Sequence, residues 1–338
     1  MNKKFLGGGI FIVAILLEWG AISATEPGQN AAVQAKKVAV KPIAPTHGVF
    51  FIGGDKHGKV DIFDKLGKAI ASVKVDYTIN DGFAVGDVNG DKIDEILIAG
   101  DSSGRMDVFN QAGAKLGSGD VHYTIYDGFA VGDVNGDGKD EILVAGDDSG
   151  RIDIFAWTGS AAQALRSFNG RFTRYDGFCC GDVNKDGKDE IVIVGDVTRR
   201  CDIYDYMGGV VNSFEADVPV KAGDIQGDIQ IKIGVGDVNG DSVPEIIYQE
   251  CWHSDVGTRN CHSKVWTPAG QLLNLSIGNF SANDQLAVGD VNGDGSTEVI
   301  IAGDKTGNIE VFNGQGRQIM SFVGNFTKND GFAVARHR

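Results

Sequence analysis

Helical periodicity is missing from this 338-residue chain, which leaves no basis for an α-helical core. Proline is sparse, at 6 residues, and the 49 glycines follow no Gly-X-Y period, which excludes a collagen-like chain. Basic residues are in deficit, 31 against 46 acidic ones, for a formal charge of −15 and a pI near 4.8. That sign argues against binding the phosphate backbone of nucleic acid or an anionic membrane surface. The six histidines (His47, His57, His122, His253, His262 and His337) follow no zinc-ligand spacing. There is no nucleophile elbow and no phosphate-binding glycine loop, so no catalytic residue is nominated. A catalytic set converging from several repeats would leave no local motif, and a fold alone excludes no chemistry.

What is present reads as globular and β-rich. Hydrophobic residues make up 42% and charged residues 23%. Glycine is at about twice its usual share, as expected of a chain with many tight turns. The one long apolar run, Phe5 to Leu17, follows Lys3 and Lys4 and precedes small residues at Ala21–Ala24. Residues 1–24 therefore read as a secretory signal, with an uncleaved anchor as the rival reading. The run is short for a membrane span, which needs about 20 residues. No cysteine precedes Cys179, so a lipoprotein cleavage site is absent. Residues 25–46 read as a linker and residues 47–338 as the folded domain. The expected location is secreted, periplasmic or cell-surface, with no stable membrane insertion once the signal is removed.

One segment recurs five times: Gly-Asp-Val-Asn-Gly/Lys-Asp, beginning at Gly86, Gly132, Gly181, Gly236 and Gly289. Its first aspartates are spaced by 46, 49, 55 and 53 residues. Each unit holds four short runs with strand character, as in Phe129–Asp133, Glu141–Gly146, Arg151–Phe155 and Ala164–Phe168. Four strands per unit, repeated, is the pattern of a β-propeller blade. Residues 328–334 restart the unit and stop after its first strand, while residues 48–70 supply strands two to four alone. The C-terminal strand is thus expected to complete the N-terminal blade, closing an all-β, six-bladed propeller of four-stranded antiparallel blades. A seventh blade from residues 36–46 has too few residues.

Within each repeat, oxygen-bearing residues stand at positions 1, 3, 5 and 9. They are Asp87, Asn89, Asp91 and Glu95; Asp133, Asn135, Asp137 and Glu141; Asp182, Asn184, Asp186 and Glu190; Asp237, Asn239, Asp241 and Glu245; and Asp290, Asn292, Asp294 and Glu298. Hard oxygens at alternating positions suit Ca²⁺ better than Mg²⁺, which retains its waters. Position 12 is apolar or Tyr, unlike an EF-hand. Asx-type turns satisfied by their own backbone are the plainer reading of one loop, but a poor one of five in register. Up to five Ca²⁺ are expected. Removing residues 1–24 takes a net +1 from the chain and leaves −16, so the metals would relieve much of its self-repulsion.

The stretch Phe129–Gly146 resembles the FG-GAP or VCBS repeat of integrin α-subunit-like β-propellers, and the resemblance covers about residues 48–334. It implies Ca²⁺ binding by the loop residues just named. Position 6, usually Gly in that family, is Lys92 and Ser242 in the first and fourth loops, which marks those two as weaker. The resemblance also implies that ligands bind on the face opposite these loops.

On that opposite face the links into each first strand repeat a second motif: Tyr77–Asp81, Tyr123–Asp127, Phe172–Asp176, Phe280–Asp284 and Phe326–Asp330. An Asx turn over a packed aromatic is one reading, and a ring of sugar pockets with exposed aromatics is the other. Symmetry breaks at units three and four, where Arg171, Arg174, Arg199, Arg200 and Trp252 gather in sequence. Asp127, Arg174, Arg199, Arg200 and Trp252 are the candidate ligand residues, for an anionic glycan or a peptide carboxylate. Cys251 and Cys261 are placed to close the excursion between them by a disulfide, while Cys179, Cys180 and Cys201 fall at core positions. The expected function is a secreted, calcium-binding module for adhesion or binding, with a glycan or an extracellular protein as partner. A polysaccharide-degrading enzyme and a non-catalytic scaffold are the alternatives.

Overall fold

The apolar runs become strands whose burial follows their place in a blade. The computed structural model describes residues 49–335 except 197, 217–229, 254–258, 274, 276, 278 and 279, with backbone alone at 230, 252, 253, 259 and 260. The export signal and the linker of the sequence reading lie outside the described residues. Among the described residues, no helix is long and apolar enough to cross a membrane.

Six four-stranded sheets form the ring. The split blade orders β24 (Gly331–Val334), β1 (Phe50–Gly54), β2 (Lys59–Phe63) and β3 (Ala69–Lys74). The second has β4 (Gly82–Gly86), β5 (Glu95–Ala99), β6 (Arg105–Phe109) and β7 (Lys115–Asp120). The third has β8 (Gly128–Gly132), β9 (Glu141–Ala145), β10 (Arg151–Trp157) and β11 (Ala162–Asn169). The fourth has β12 (Gly177–Gly181), β13 (Glu190–Val194), β14 (Arg200–Tyr204) and β15 (Val210–Glu215). The fifth has β16 (Gln230–Gly236), β17 (Glu245–His253), β18 (Arg259–Trp266) and β19 (Leu272–Leu273). The sixth has β20 (Gln285–Gly289), β21 (Glu298–Ala302), β22 (Asn308–Phe312) and β23 (Gln318–Val323). Phe50 pairs with Val334 and Gly53 with Gly331, so the C-terminal strand closes the ring as the sequence reading expects.

Second strands read as unbroken apolar runs because neighbouring blades cover both of their faces: β5, β9, β13 and β21 are buried at every residue. Third strands alternate, as in Arg-Ile-Asp-Ile-Phe of β10. Outer strands are largely exposed. The core is therefore a set of inter-blade clusters, such as that joining Leu97 and Met106 to Ile142 and Phe155.

The inner strands contact one another in the order β4, β8, β12, β16, β20, β24 and back to β4. Glycines at the starts of β4, β8, β12 and β24 let the next blade in, while β16 and β20 start with Gln230 and Gln285. An added Cβ at Gly331 would stand 2.5 Å from the Phe83 ring, at Gly82 3.0 Å from Phe129, and at Gly128 2.8 Å from Phe178. At these glycines a side chain would crowd the aromatic of the next blade, which accounts for the Asp-Gly-Phe signature of the repeat.

The fifth blade departs from the others. Its β17–β18 hairpin is longer, with Cys251 directly opposite Cys261 and joined to it by a disulfide. Cys179, Cys180 and Cys201 are in no disulfide and lie in or against the core, and burial pushes the Cys201 thiol up to about 12, which keeps it inert.

Candidate functional site

On one face, the five acidic loops join first to second strands. The first aspartate of each accepts backbone N–H groups of its own loop. Asp87 Oδ1 accepts from Gly90 and Asp91 at 2.7 and 3.1 Å, and its Oδ2 accepts from Lys92 at 2.9 Å. This folds the loop tightly and demands positive φ at position 6, met by Gly138, Gly187 and Gly295 but also by Lys92 (67°) and Ser242 (70°). A non-glycine residue in this left-handed conformation costs about 1 kcal/mol. Lys185 at position 4 (62°) is a third such residue, where the other loops carry Gly.

The remaining polar groups converge on the asparagine. Asn89 Nδ2 donates to Glu95 Oε1 at 2.7 Å and to Asp91 Oδ2 at 3.3 Å. The same pair of bonds recurs at Asn135, Asn184, Asn239 and Asn292. Among the described residues no three carboxylate, imidazole or thiol groups meet at one point. In each loop an amide lies between two carboxylates, its oxygen accepting the N–H of position 5. The asparagine, the aspartates and the glutamate are the oxygen-bearing residues that could hold a hard cation.

The glutamates are unusual. Glu95, Glu141, Glu190, Glu245 and Glu298 are buried. Burial first, and the loop aspartates second, push Glu95 up to about 8; burial and neighbouring aspartates likewise raise Glu141 to about 8 and the other three to about 7. Glu95 Oε2 is buried without a hydrogen-bond partner, whereas Glu190, Glu245 and Glu298 offer the matching oxygen to the N–H groups of Val183, Val238 and Val291. A buried carboxylate oxygen without a partner is one that a divalent cation would satisfy.

One residue invisible to motif reading links the loops. Asp140, at position 8, accepts the Asp87 N–H at 2.8 Å through its carboxylate and donates its own N–H to the Asp87 carbonyl at 2.9 Å. Asp189 donates likewise to Asp133, and Thr297 to Asp237. Between the third and fourth loops position 8 is Pro244, which has no N–H to give.

The opposite face carries the second motif, and its chemistry is structural. Each link aspartate closes its own turn and pins a neighbouring turn of the same blade. Asp127 Oδ2 accepts from the N–H and hydroxyl of Thr124, and its Oδ1 accepts from the Asp147 N–H at 2.9 Å. Asp81, Asp176, Asp284 and Asp330 accept the N–H groups of Asp101, Asp196, Asp304 and Asp55 in the same way. The link aromatics Tyr77, Tyr123, Phe172 and Phe326 are buried, set edge-on against Phe83, Phe129, Phe178 and Phe332. The expected alternative of exposed aromatics forming a ring of pockets is therefore corrected: the inner-strand phenylalanines cover them.

A cavity of about 490 Å³ does open on the axis, lined from all six inner strands and from the links before β4, β8, β12 and β24. Arg174 lines it, with its guanidinium 3.5 Å from the centre of the Tyr126 ring and 4.7 Å from that of Tyr175. Asp127 lines it too. Arg199 and Arg200 do not. Arg200 bonds Ser213 and faces Asp202 on the outer part of its blade. Arg199 stands in a turn with φ of 54°, where the other blades have Gly58, Gly104, Gly150 and Gly307. Trp252 is on β17, but its side chain lies outside the described residues. Tyr126, Tyr175 and Lys328 also line the cavity, at variable positions of the repeat that the motif pattern does not single out, as does Lys232 on β16.

Comparison with known proteins bears on the fold. Residues 133–193 match the FG-GAP-like repeat family. No curated protein matches the chain. Among solved structures, a protein of unknown function from Bacteroides caccae is similar at 11% identity and a TM-score of 0.51, covering 86% of this chain and 99% of its own. A lectin from Agrocybe aegerita is similar at 14% identity and a TM-score of 0.52, covering 87% of this chain and 96% of its own. The chain forms a six-bladed β-propeller, within which residues 133–193 match the FG-GAP-like repeat.

Proposed function

We propose that the protein is an exported, non-catalytic binding module whose loop face carries Ca²⁺ and whose axial mouth takes a glycan or an extracellular protein. The observation that carries this reading is the contrast between the two faces. The loop face repeats the same carboxylate and amide set five times, as a structural cation site would. The axial mouth is a concave site at which the repeat positions differ from blade to blade. In the metal-bound protein, the loop asparagine, aspartates and glutamate would hold Ca²⁺, which supplies charge neutralisation and rigidity. The residues themselves would fix the loop through the Asp87-type backbone bonds.

The lectin among the fold neighbours recognises non-reducing terminal N-acetylglucosamine. That is a property of the lectin, and it offers a precedent for glycan binding on a similar fold without assigning a sugar here. The test is binding of the purified chain to a glycan array, in calcium and in EDTA. Calcium-dependent capture of one sugar class, with the ligand unchanged, is the expected result. Cleavage of the ligand would favour the enzyme reading, and no binding by a folded, calcium-loaded sample would overturn the glycan branch.

A further inference from the structure

The links place unlike side chains at one repeat position, two residues before the link aspartate: Ile79, Ile125, Arg174, Ala282 and Lys328. Arg174 leads into β12 and Lys328 into β24, which are three steps apart either way around the ring. Arg174 and Lys328 therefore stand on opposite sides of the axial mouth, and both line its cavity, as does Lys232 of β16. Ile79 and Ile125 occupy the arc between them, with Tyr126 beside Arg174. Among the described residues, neither Arg174 nor Lys328 has a carboxylate within salt-bridge distance. The aspartates of the mouth are turned to backbone N–H groups instead.

We propose that this mouth binds an acidic oligosaccharide with carboxylates on separate sugar rings, that is, a polyuronate segment, with Arg174 as its principal anchor. This rests on the reading of the protein as a glycan-binding module and names the ligand class of that site. Three observations select it. Arg174 and Lys328 stand across the mouth from each other, and the third lining cation, Lys232 on β16, donates to the Asp284 carbonyl, so the charges are spread, which suits separate single charges on an extended chain and not one compact phosphate. Arg174 stacks through its guanidinium face on Tyr126, which leaves its in-plane N–H groups as donors for a carboxylate. The arc between the cations presents apolar and aromatic surface for the C–H faces of sugar rings, with the Asn80 and Gln285 amides at the cavity wall for hydroxyls. The aspartates lining the mouth oppose an anion by charge, but burial pushes Asp176, next in the link to Arg174, up to about 7, which weakens that opposition near neutrality.

The experiment is calorimetric titration of the full-length chain with tetragalacturonate, a neutral cellotetraose and tetraglutamate, with calcium matched in cell and syringe. Tetragalacturonate is expected to bind about 10- to 100-fold more tightly than cellotetraose, and to weaken as salt is raised. Arg174→Ala is expected to remove that preference and Arg174→Lys to restore part of it, while the melting temperature stays unchanged because the side chain is exposed. Lys328→Gln is expected to weaken binding by a smaller factor. Equal binding of the neutral tetramer, unaffected by Arg174→Ala, overturns this inference and leaves the glycan-binding reading standing. Binding of tetraglutamate alone overturns the glycan assignment in favour of an acidic peptide. Binding of none of the three by a calcium-stabilised sample overturns the inference, and the array result then judges the broader reading separately.

Discussion

Asp140 and Asp87 hold each other by two hydrogen bonds across a blade boundary, carboxylate to N–H at 2.8 Å and N–H to carbonyl at 2.9 Å. Asp87 opens one acidic loop and Asp140 nearly ends the next, so neighbouring loops share backbone groups around the ring. The shared bonds join loops one, two and three, and separately loops four and five, with Pro244 between the two groups.

Asp140→Ala leaves the buried Asp87 N–H without its carboxylate acceptor and is expected to cost about 1–3 kcal/mol. Asp140→Asn keeps an acceptor oxygen and is expected to cost less. Urea denaturation of the two variants measures this. Equal, negligible losses would show the bond to be dispensable.

The raised glutamates predict a pH dependence with a definite sign. Between their ordinary value near 4.5 and the folded values of about 7 to 8, the folded metal-free protein holds protons that the unfolded chain has released. Stability in EDTA is therefore fully present below about 4.5 and is lost as pH rises through 7 to 8. Calcium, which needs the ionised form, is expected to close or reverse that gap. Glu95→Gln in EDTA is expected to stabilise at pH 8 and to do little at pH 5. Thermal melts at the two pH values decide it, and a variant that behaves alike at both would refute the assignment to Glu95.

Left-handed backbone at Lys92, Lys185 and Ser242 gives a third expectation. Replacing each with Gly is expected to stabilise the protein by about 1 kcal/mol. Loss of stability in denaturant titrations would mean that these side chains make contacts that outweigh the strain.

Gly128→Ala sets a methyl against the Phe178 ring, where a Cβ would stand 2.8 Å away. Overpacking of this kind is expected to cost about 1–3 kcal/mol. An unchanged melting temperature would mean that the neighbouring blade yields freely.

The blade count, the split blade and the loop residues were legible because each rests on a local signal repeated several times. A period-2 strand, an Asp-Asn-Asp spacing and an interrupted unit at each end are properties of short segments. Relations between blades were not legible. Whether Tyr123 is exposed depends on Phe129, and nothing in Tyr-Thr-Ile-Tyr-Asp states that Phe129 covers it. The opposition of Arg174 to Lys328 exists only once the ring is closed. Asp140 reads as one more acidic residue until the neighbouring loop is placed beside it. Lys185 could have been found, since the other four loops carry Gly at its position.

The most direct measurement is calcium titration of the EDTA-stripped protein, followed by calorimetry and by melting temperature. The account predicts up to five ions bound per chain, a higher melting temperature on loading, and a smaller stoichiometry when Glu141→Gln and Asp137→Asn remove one loop. A stripped protein that takes up no calcium and melts identically with and without it would contradict the account, leaving the loops as turns held by their own hydrogen bonds.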